Sequence, residues 1–316
     1  MSPKESDKSI DLVIPVYNEA GVLEHTYSKI CEVIRQLPHR FHIYFVDDGS
    51  TDGTAESLAA LARRDDCLTV LTLARNFGHQ AALTAGLDAS RGDFVISMDG
   101  DGQHPPEMIS QIIELFEQGY DIVQAQRLEE ERSFSLKQVT SSAFYALINR
   151  ISGTQMTAGA ADFRGISRQV VEALKSMPEY HRFLRGMIAW VGYRSVILPY
   201  HETRRTAGRS KYSAGKMLRL AMDAIFSFSL VPLYIGLSAG GFFFCLAALE
   251  MIYVLSFWVT GRTSNLAPGW SSLMFVILIV SGMLMVLLGF IGIYVGYIFQ
   301  EVKRRPVYLL KKEAEE

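Results

Sequence analysis

The chain has 316 residues, with 31 lysines and arginines against 33 aspartates and glutamates, for a net charge of -2. This balance predicts no nucleic-acid partner, because proteins that bind nucleic acids present an excess of basic side chains. The three cysteines, none of them in a Cys-x-x-Cys pair, argue against zinc and redox motifs. The N-terminus is polar, and we expect no secretory signal there.

The first part of the chain alternates short β-rich runs with helical runs. The β-rich runs are IDLVIP, HIYFVDD, LTVLTLA, DFVISMD and DIVQAQ, and a helical run follows each of the first four. This alternation predicts βαβ units and a parallel sheet that helices cover on both faces. We therefore predict an α/β domain that binds its ligand outside the carboxyl ends of the strands.

Polar clusters follow the first four predicted strands, at residues 15–19, 47–50, 75–76 and 99–101. Since the carboxyl ends of parallel strands share one edge of a sheet, these clusters predict a binding site at that edge. Neither GxGxxG nor GxxxxGK[ST] occurs, which argues against a glycine-loop nucleotide site. Carboxylates at this position suggest instead a cation that bridges to a phosphate.

The stretch MDGDGQHPPE, residues 98–107, places two aspartates one residue apart at a strand exit. Taken alone, it fits either a surface turn or a metal site. An EF-hand loop is excluded, because Ser110 stands where such a loop needs a glutamate. Pro105 and Pro106 fit the first turn of the following helix, where a missing N–H costs little.

Long uncharged stretches at residues 224–249 and 269–300 predict two membrane-spanning helices, at 232–259 and 271–299. About 20 helical residues cross a bilayer core of roughly 30 Å. Basic residues flank both outer ends of this hairpin, whereas the connector carries only Arg262. The positive-inside rule then predicts a multi-pass protein of the plasma membrane or inner membrane, with its N-terminal domain and both termini in the cytoplasm.

Basic and apolar residues at helical spacing also predict an interfacial amphipathic helix before the first span. In the second span, Gly292 and Gly296 form a GxxxG pair, which favours close packing and a homo-oligomer, although simple helix filler fits equally well. The predicted organisation is a cytosolic domain at 1–212, the interfacial helix at 213–230, the hairpin at 231–300 and a basic tail at 301–316.

Four motifs, VIPVYNE (13–19), VDDGSTDGT (46–54), MDGDGQHPPE and RTAGRSKY (205–212), together resemble those of the family 2 glycosyltransferases. With the hairpin, the resemblance extends over nearly the whole chain to the polyprenyl-phosphate branch of that family. It implies a Rossmann-like GT-A domain with a mostly parallel sheet. It also implies inverting, metal-dependent transfer from a nucleotide sugar to a polyprenyl phosphate such as undecaprenyl phosphate. The QxxRW motif of processive polysaccharide synthases is missing, which argues against polymerisation.

The resemblance also assigns roles to the residues at matching positions. Those implied to bind the nucleotide and the donor are Pro15, Tyr17, Glu19, Asp48, Asp99, Arg205, Ser210 and Lys211. Asp48 would accept a hydrogen bond from the base edge, such as the N3–H of uracil. The family often has an acid where this chain has Arg209, which leaves the charge of the basic loop open.

A divalent cation, Mg²⁺ or Mn²⁺, is implied at Asp101, Asp99 and Gln103. The catalytic residues implied are Asp99, Asp101, Asp162 and Arg127. A phosphate nucleophile is largely ionised at neutral pH and does not need a strong general base. If a base is needed, Asp99 or Asp162 is the candidate. Lys137 and Ser141 share one helix face and are implied to hold the acceptor phosphate, although an ordinary amphipathic helix fits them too.

Other functions stay open at this point: a membrane-anchored nucleotide-sugar-binding protein without turnover, or a glycosyltransferase acting on diacylglycerol or a protein. UDP-glucose or another UDP-hexose is the expected donor, and the product would serve envelope glycan modification.

His79 and His104 lie on the predicted binding edge as candidate substrate contacts. Trp190 and Tyr193 are predicted to pack rather than to form a sugar platform.

Overall fold

A computed structural model describes residues 8–128, 160–200, 231–261 and 269–311. The chain divides into two compact units. The first contains the described part of residues 1–217 together with the described residues from Arg305 onward, and the second lies within 218–304. The predicted interfacial helix at 213–230 lies outside the described residues.

The first unit is built on a sheet whose described strands follow the order β3-β2-β1-β4-β6-β5-β7. The strands are β1 Ser9–Val16, β2 Arg40–Asp47, β3 Leu68–Thr72, β4 Phe94–Ser97, β5 Ile122–Arg127, β6 Ala160–Ser167 and β7 Ser195–Tyr200. The pairs β1–β2, β1–β4, β2–β3 and β5–β7 are parallel, whereas β6 is antiparallel to both of its neighbours. The predicted mostly parallel α/β fold is therefore confirmed, and β6 and β7 are the strands that the alternating pattern did not predict.

Helices follow the first four strands as the sequence predicts. They are α1 Ala20–Ile34, α2 Thr54–Ala62, α3 His79–Ala89 and α4 Met108–Glu117, and α5 Arg168–Lys175 and α6 Leu184–Trp190 come after β6. Nearly every residue of β1 is buried, as expected for a central strand covered on both faces. Helix α3 packs very closely on this strand, because a Cβ on Gly86 would lie 2.2 Å from Cγ1 of Val13.

The two prolines of the 98–107 stretch do not lie in the first turn of α4, contrary to the prediction. The helix begins at Met108, whose N–H donates to the carbonyl of Pro105 at 3.2 Å. Pro105 and Pro106 therefore form the turn that precedes the helix. Because proline has a fixed φ and no N–H, it suits this turn as well as it suits a first helical position.

The last described residues pair with the outer strand of the sheet, although a basic tail was predicted here. Leu310 forms an antiparallel bridge with Leu73, Ala74 N–H donates to Leu309 O, and Lys311 N–H donates to Thr72 O, both at 2.8 Å. In addition, the Tyr308 hydroxyl donates to Asp88 Oδ2 of α3 at 3.0 Å. An edge strand presents unpaired backbone groups, and the C-terminal segment satisfies part of this edge.

The second unit contains two long helices, α7 Val231–Val259 and α8 Trp270–Val302. Their bounds agree closely with the two predicted spans. By length and composition, Leu233–Phe257 and Ile279–Val302 are apolar enough to cross a membrane, and almost none of their residues are buried.

The two long helices contact each other through a glycine other than the predicted pair. Gly236 of α7 faces α8 so closely that a Cβ would lie 1.7 Å from Cδ2 of Leu287. In contrast, no described atom of α7 lies within 4 Å of the Cβ positions of Gly292 and Gly296. The GxxxG pair is therefore not the contact between α7 and α8, and its role in an oligomer stays a prediction.

Candidate active site

The loops after β1 and β2 are joined through Asn18. Its backbone N–H donates to Ser50 Oγ at 2.9 Å, and its Oδ1 accepts the N–H of Thr51 at 2.8 Å. Asn18 has a φ of 55°, a left-handed conformation that asparagine tolerates better than most residues. The structure places Tyr17 at the surface beside this junction, whereas Pro15 is buried within β1.

Asp48, predicted to contact the nucleotide base, is buried beneath the loop that follows β3. Its Oδ1 accepts the N–H of Phe77 at 2.7 Å, and its Oδ2 accepts the N–H of Gly78 at 2.9 Å. Burial raises the pKa of Asp48, although these two hydrogen bonds act in the opposite direction. Asp48 therefore shapes the entry to α3, and its contact with a base stays a prediction.

Two histidines hold the first aspartate of the Asp-Gly-Asp sequence. His79 Nε2 lies 2.9 Å from Asp99 Oδ1, and His104 Nε2 lies 3.7 Å from Asp99 Oδ2. The backbone N–H of Asp99 donates to His104 Nδ1 at 2.9 Å, and the His104 ring stacks on Phe163 with its centroid 4.8 Å away. His104 is almost fully buried, and it therefore supports the loop from below.

Asp162 joins this site because β6 runs antiparallel to β4. The start of an antiparallel strand lies beside the carboxyl end of its neighbour, and Ser97 pairs with Arg164 in this register. Arg164 Nη2 donates to Asp162 Oδ1 at 2.7 Å, and Arg185 of α6 donates to both carboxylate oxygens at 2.9 Å. The resulting cluster is largely shielded from solvent, since Arg164 is 2% exposed and the Asp162 side chain 11%.

The electrostatics of the site follow from these contacts. Burial by itself raises the pKa of Asp162, but the charges of Arg185 and Arg164 outweigh it and hold the pKa well below its usual range. Burial likewise raises the pKa of Asp99, and the hydrogen bond from His79 together with the charges of His104 and His79 lowers it overall. Both carboxyl groups are therefore ionised at neutral pH.

Asp101 and Gln103 are the residues of this loop best suited to hold a cation. Asp101 Oδ1 accepts the N–H of Gln103 at 3.1 Å. Gln103 Nε2 is buried with no hydrogen-bond partner in the described part of the chain, so this donor fits an acceptor that the chain itself does not supply, such as a phosphate oxygen of a ligand. The described residues contain no group of three or more His, Cys, Asp or Glu side chains arranged to hold a metal. A cation here would therefore share its shell with ligand oxygens.

Three further predicted residues lie at the ends of strands or helices. Arg127 is exposed at the end of β5, opposite Tyr200 of β7, and Glu19 is half-buried at the start of α1. Trp190 was predicted to pack, but its side chain is 66% exposed at the end of α6, and that prediction was wrong. Outside the described residues lie Lys137, Ser141, Arg205, Ser210 and Lys211.

Sequence reasoning missed Arg185 and Gln80. Gln80 Oε1 accepts the N–H of Leu184 at 3.2 Å and so attaches the start of α6 to the start of α3. Neither residue belongs to a recognisable motif, and their contacts span 23 and 104 positions of the chain. The only local signal was the position of Gln80 next to His79 on the predicted binding edge.

The chain is similar to known proteins in sequence and in fold. Residues 11–175 match glycosyl transferase family 2. The chain is 38% identical over 307 residues to the bactoprenol glucosyl transferase of Shigella phage SfII, across 96% of this chain and 97% of that protein. It is also 38% identical over 304 residues to an uncharacterized glycosyltransferase of Synechocystis sp., across 95% and 94% of the two chains. Mannosyl-3-phosphoglycerate synthase from Rubrobacter xylanophilus shares the fold, with a TM-score of 0.50 at 20% identity over 68% of this chain and 71% of that one. The chain therefore belongs to glycosyl transferase family 2.

Proposed function

We propose that this protein transfers a hexose, with inversion, from a uridine diphosphate sugar to a polyprenyl phosphate. UDP-glucose or another UDP-hexose is the donor, and undecaprenyl phosphate is the acceptor. The product, a polyprenyl-phosphate sugar, would supply the modification of envelope glycans. Similarity along nearly the full chain to a bactoprenol glucosyl transferase supports this choice of acceptor.

One observation carries the proposal. Asp99 of the Asp-Gly-Asp loop and the ion-paired Asp162 lie on either side of a single imidazole, that of His79. Such a cluster of charged groups at the carboxyl edge of a mostly parallel sheet suits a charged donor. The same chain carries two long apolar helices with exposed surfaces, which suits an acceptor that resides in a lipid bilayer.

The loop fits a hard divalent cation, Mg²⁺ or Mn²⁺. Asp101 and the amide oxygen of Gln103 would hold it, and such ions commonly take only one or two carboxylates from the protein and share the remainder of the shell with substrate phosphates. Asp99 is less suited as a ligand, because His79 already engages one of its oxygens. When bound, the cation neutralises charge on the leaving diphosphate.

The acceptor phosphate is the nucleophile in this proposal, and its oxygens are already ionised at neutral pH. Asp162 would be a poor general base, because both of its oxygens accept hydrogen bonds from arginine and its pKa is strongly lowered. We therefore infer that the protein acts by holding the two substrates in line and by balancing charge. Arg127, Arg205 and Lys211 would face the diphosphate, while Lys137 and Ser141 would hold the acceptor phosphate.

We expect the N-terminal domain and both termini to lie in the cytoplasm, where nucleotide sugars are made. The two apolar helices would make the protein a multi-pass protein of the plasma membrane or inner membrane. The distribution of basic residues on either side of the helices supports this orientation.

The test uses the full chain in detergent with a panel of radiolabelled nucleotide sugars, and with undecaprenyl phosphate or diacylglycerol as acceptor. We expect label in undecaprenyl phosphate only, and a loss of roughly a hundredfold in turnover for Asp101→Asn. Asp66→Asn, at an exposed aspartate, is the matched control and should remain active. Transfer to diacylglycerol alone, or donor binding without transfer to any acceptor, would refute the proposal.

A further inference from the structure

We propose that His79 is a positioning residue for this transfer, whose imidazole fixes Asp99 of the Asp-Gly-Asp loop relative to the buried Asp162 cluster. The inference rests on the proposed function and names a further residue within the same site. His79 does not belong to any of the four motifs that predicted the family.

The geometry places the ring of His79 between two carboxylates, that of Asp99 in the loop after β4 and that of Asp162 in β6. Nε2 lies 2.9 Å from Asp99 Oδ1, which is a hydrogen bond. The other ring nitrogen, Nδ1, lies 3.7 Å from Asp162 Oδ2 and 3.4 Å from Gln80 Nε2. Nε2–H can donate to Asp99 in either protonation state of the ring, and in the neutral ring Nδ1 can also accept from Gln80.

The two carboxylates differ in how their charge is balanced. Asp162 is compensated by two arginines, as shown by its hydrogen bonds to Arg164 and Arg185. The Asp99 carboxylate contacts His79 at 2.9 Å and His104 at 3.7 Å. Loss of the His79 ring would leave Asp99 with the longer contact, close to another negative charge that repels it.

His79 is itself held firmly, because it is the first residue of α3. Immediately before it, the N–H groups of Phe77 and Gly78 donate to the buried carboxylate of Asp48. Immediately after it, Gln80 accepts the N–H of Leu184 from α6. The imidazole therefore projects from a backbone segment that is fixed on both sides, as a positioning group requires.

The Asp-Gly-Asp loop has little room to adjust if this support is lost. Gly100 lies against the end of β1, where a Cβ would be 2.4 Å from Cγ1 of Val16. The end of β1 thus confines the backbone of this loop at Gly100, and the direction of the Asp99 side chain depends on its contacts with the two histidines. A misdirected Asp99 would disturb the sugar end of the donor, while Asp101 and Gln103 would still bind the diphosphate.

The experiment compares three variants with the wild-type full chain in detergent, using UDP-glucose and undecaprenyl phosphate. His79→Gln can place an amide N–H near the original Nε2, whereas His79→Asn places one near Nδ1, and His79→Ala has neither. We expect kcat to fall at least about tenfold in His79→Ala and His79→Asn while the donor KM changes less than about threefold. His79→Gln should keep kcat within about threefold of wild type.

His25→Ala, at an exposed histidine of α1, is the matched control, and thermal unfolding of each variant measures any general loss of stability. The inference is overturned if His79→Ala keeps its kcat, or if His79→Gln is as impaired as His79→Ala, since a purely structural role would not distinguish them. If the wild type transfers sugar and either of these results is found, only the role of His79 is contradicted and the proposed function stands. A wild-type protein that transfers no sugar contradicts the proposed function, and the role of His79 with it.

Discussion

Arg185 binds Asp162 through two hydrogen bonds of 2.9 Å, one from Nε to Oδ1 and one from Nη2 to Oδ2. This paired geometry joins helix α6 to the start of β6. It also means that both carboxylate oxygens of Asp162 accept hydrogen bonds from arginine. The contact explains why α6 belongs to the active site although no motif lies within it.

We predict that Arg185→Lys lowers kcat by at least about tenfold, because a lysine keeps the charge but cannot form both hydrogen bonds. The unfolding midpoint of the full chain in detergent should fall by a few degrees, roughly 2–4 °C. Turnover and thermal unfolding measure the two effects. Arg64→Lys, at an arginine whose side chain is 72% exposed, is the control, and equal behaviour of the two variants would argue against the role of this ion pair.

The C-terminal pairing with β3 leads to a second prediction. Lys311→Pro removes the N–H that donates to Thr72 O and should lower the unfolding midpoint of the full chain, whereas Lys311→Ala keeps that N–H and should not. The loss corresponds to about 1 kcal/mol for one backbone hydrogen bond, with more if the whole segment detaches. Protection of the Ala74 amide from hydrogen exchange should decrease only in the proline variant. Equal protection in both variants would show that the pairing does not depend on this bond.

A third prediction concerns acid stability. Asp65 accepts hydrogen bonds from the Tyr27 hydroxyl at 2.5 Å and from the Cys67 N–H at 2.9 Å, and chiefly the first of these holds the pKa of Asp65 below its ordinary value. Because the pKa is lowered by folding, the stabilisation is fully present above the unfolded value of about 3.9 and is lost as the pH falls through the folded value.

Tyr27→Phe should therefore destabilise the protein by about 1 kcal/mol at pH 7, and the difference from wild type should shrink below about pH 4. Denaturant unfolding at several pH values measures this difference. Asp66→Asn, next in the chain and exposed, is the control variant. A constant difference between wild type and Tyr27→Phe down to acid pH would contradict the assignment to Asp65.

The last prediction separates the two candidate glycine contacts in the apolar helices. Gly236→Val places methyl groups where Leu287 of α8 already lies and should destabilise the helix pair by about 1–3 kcal/mol. At Gly292 an added Cβ would have no described atom within 4 Å beyond the helix's own nearby backbone, so Gly292→Val should leave the pair intact. Unfolding in detergent measures the stability of the helix pair, and chemical cross-linking measures whether the protein forms an oligomer. A loss of cross-linked oligomer in Gly292→Val alone would support the predicted GxxxG contact between copies.

The sequence by itself determined the α/β class, the first five strands, the helices between them and the two long apolar helices. Each of these depends on periodicity and turn residues within a short window, which local physical chemistry decides. The Asp-Gly-Asp loop was also recognisable, since its residues are contiguous. In contrast, the burial of Asp48 was not visible in its motif, because the groups that bury it come from the loop after the next strand.

Only the tertiary structure decided the contacts between distant segments. The antiparallel direction of β6 brings Asp162 to the edge where β4 ends, and no local pattern specifies which neighbour a strand will take. The same holds for His79 with Asp99, Arg185 with Asp162, and Tyr308 with Asp88, which lies 220 positions away. These contacts depend on side chains meeting after the chain has folded. For that reason the sequence predicted which edge of the sheet is the site, whereas the fold decided which residues hold it in place.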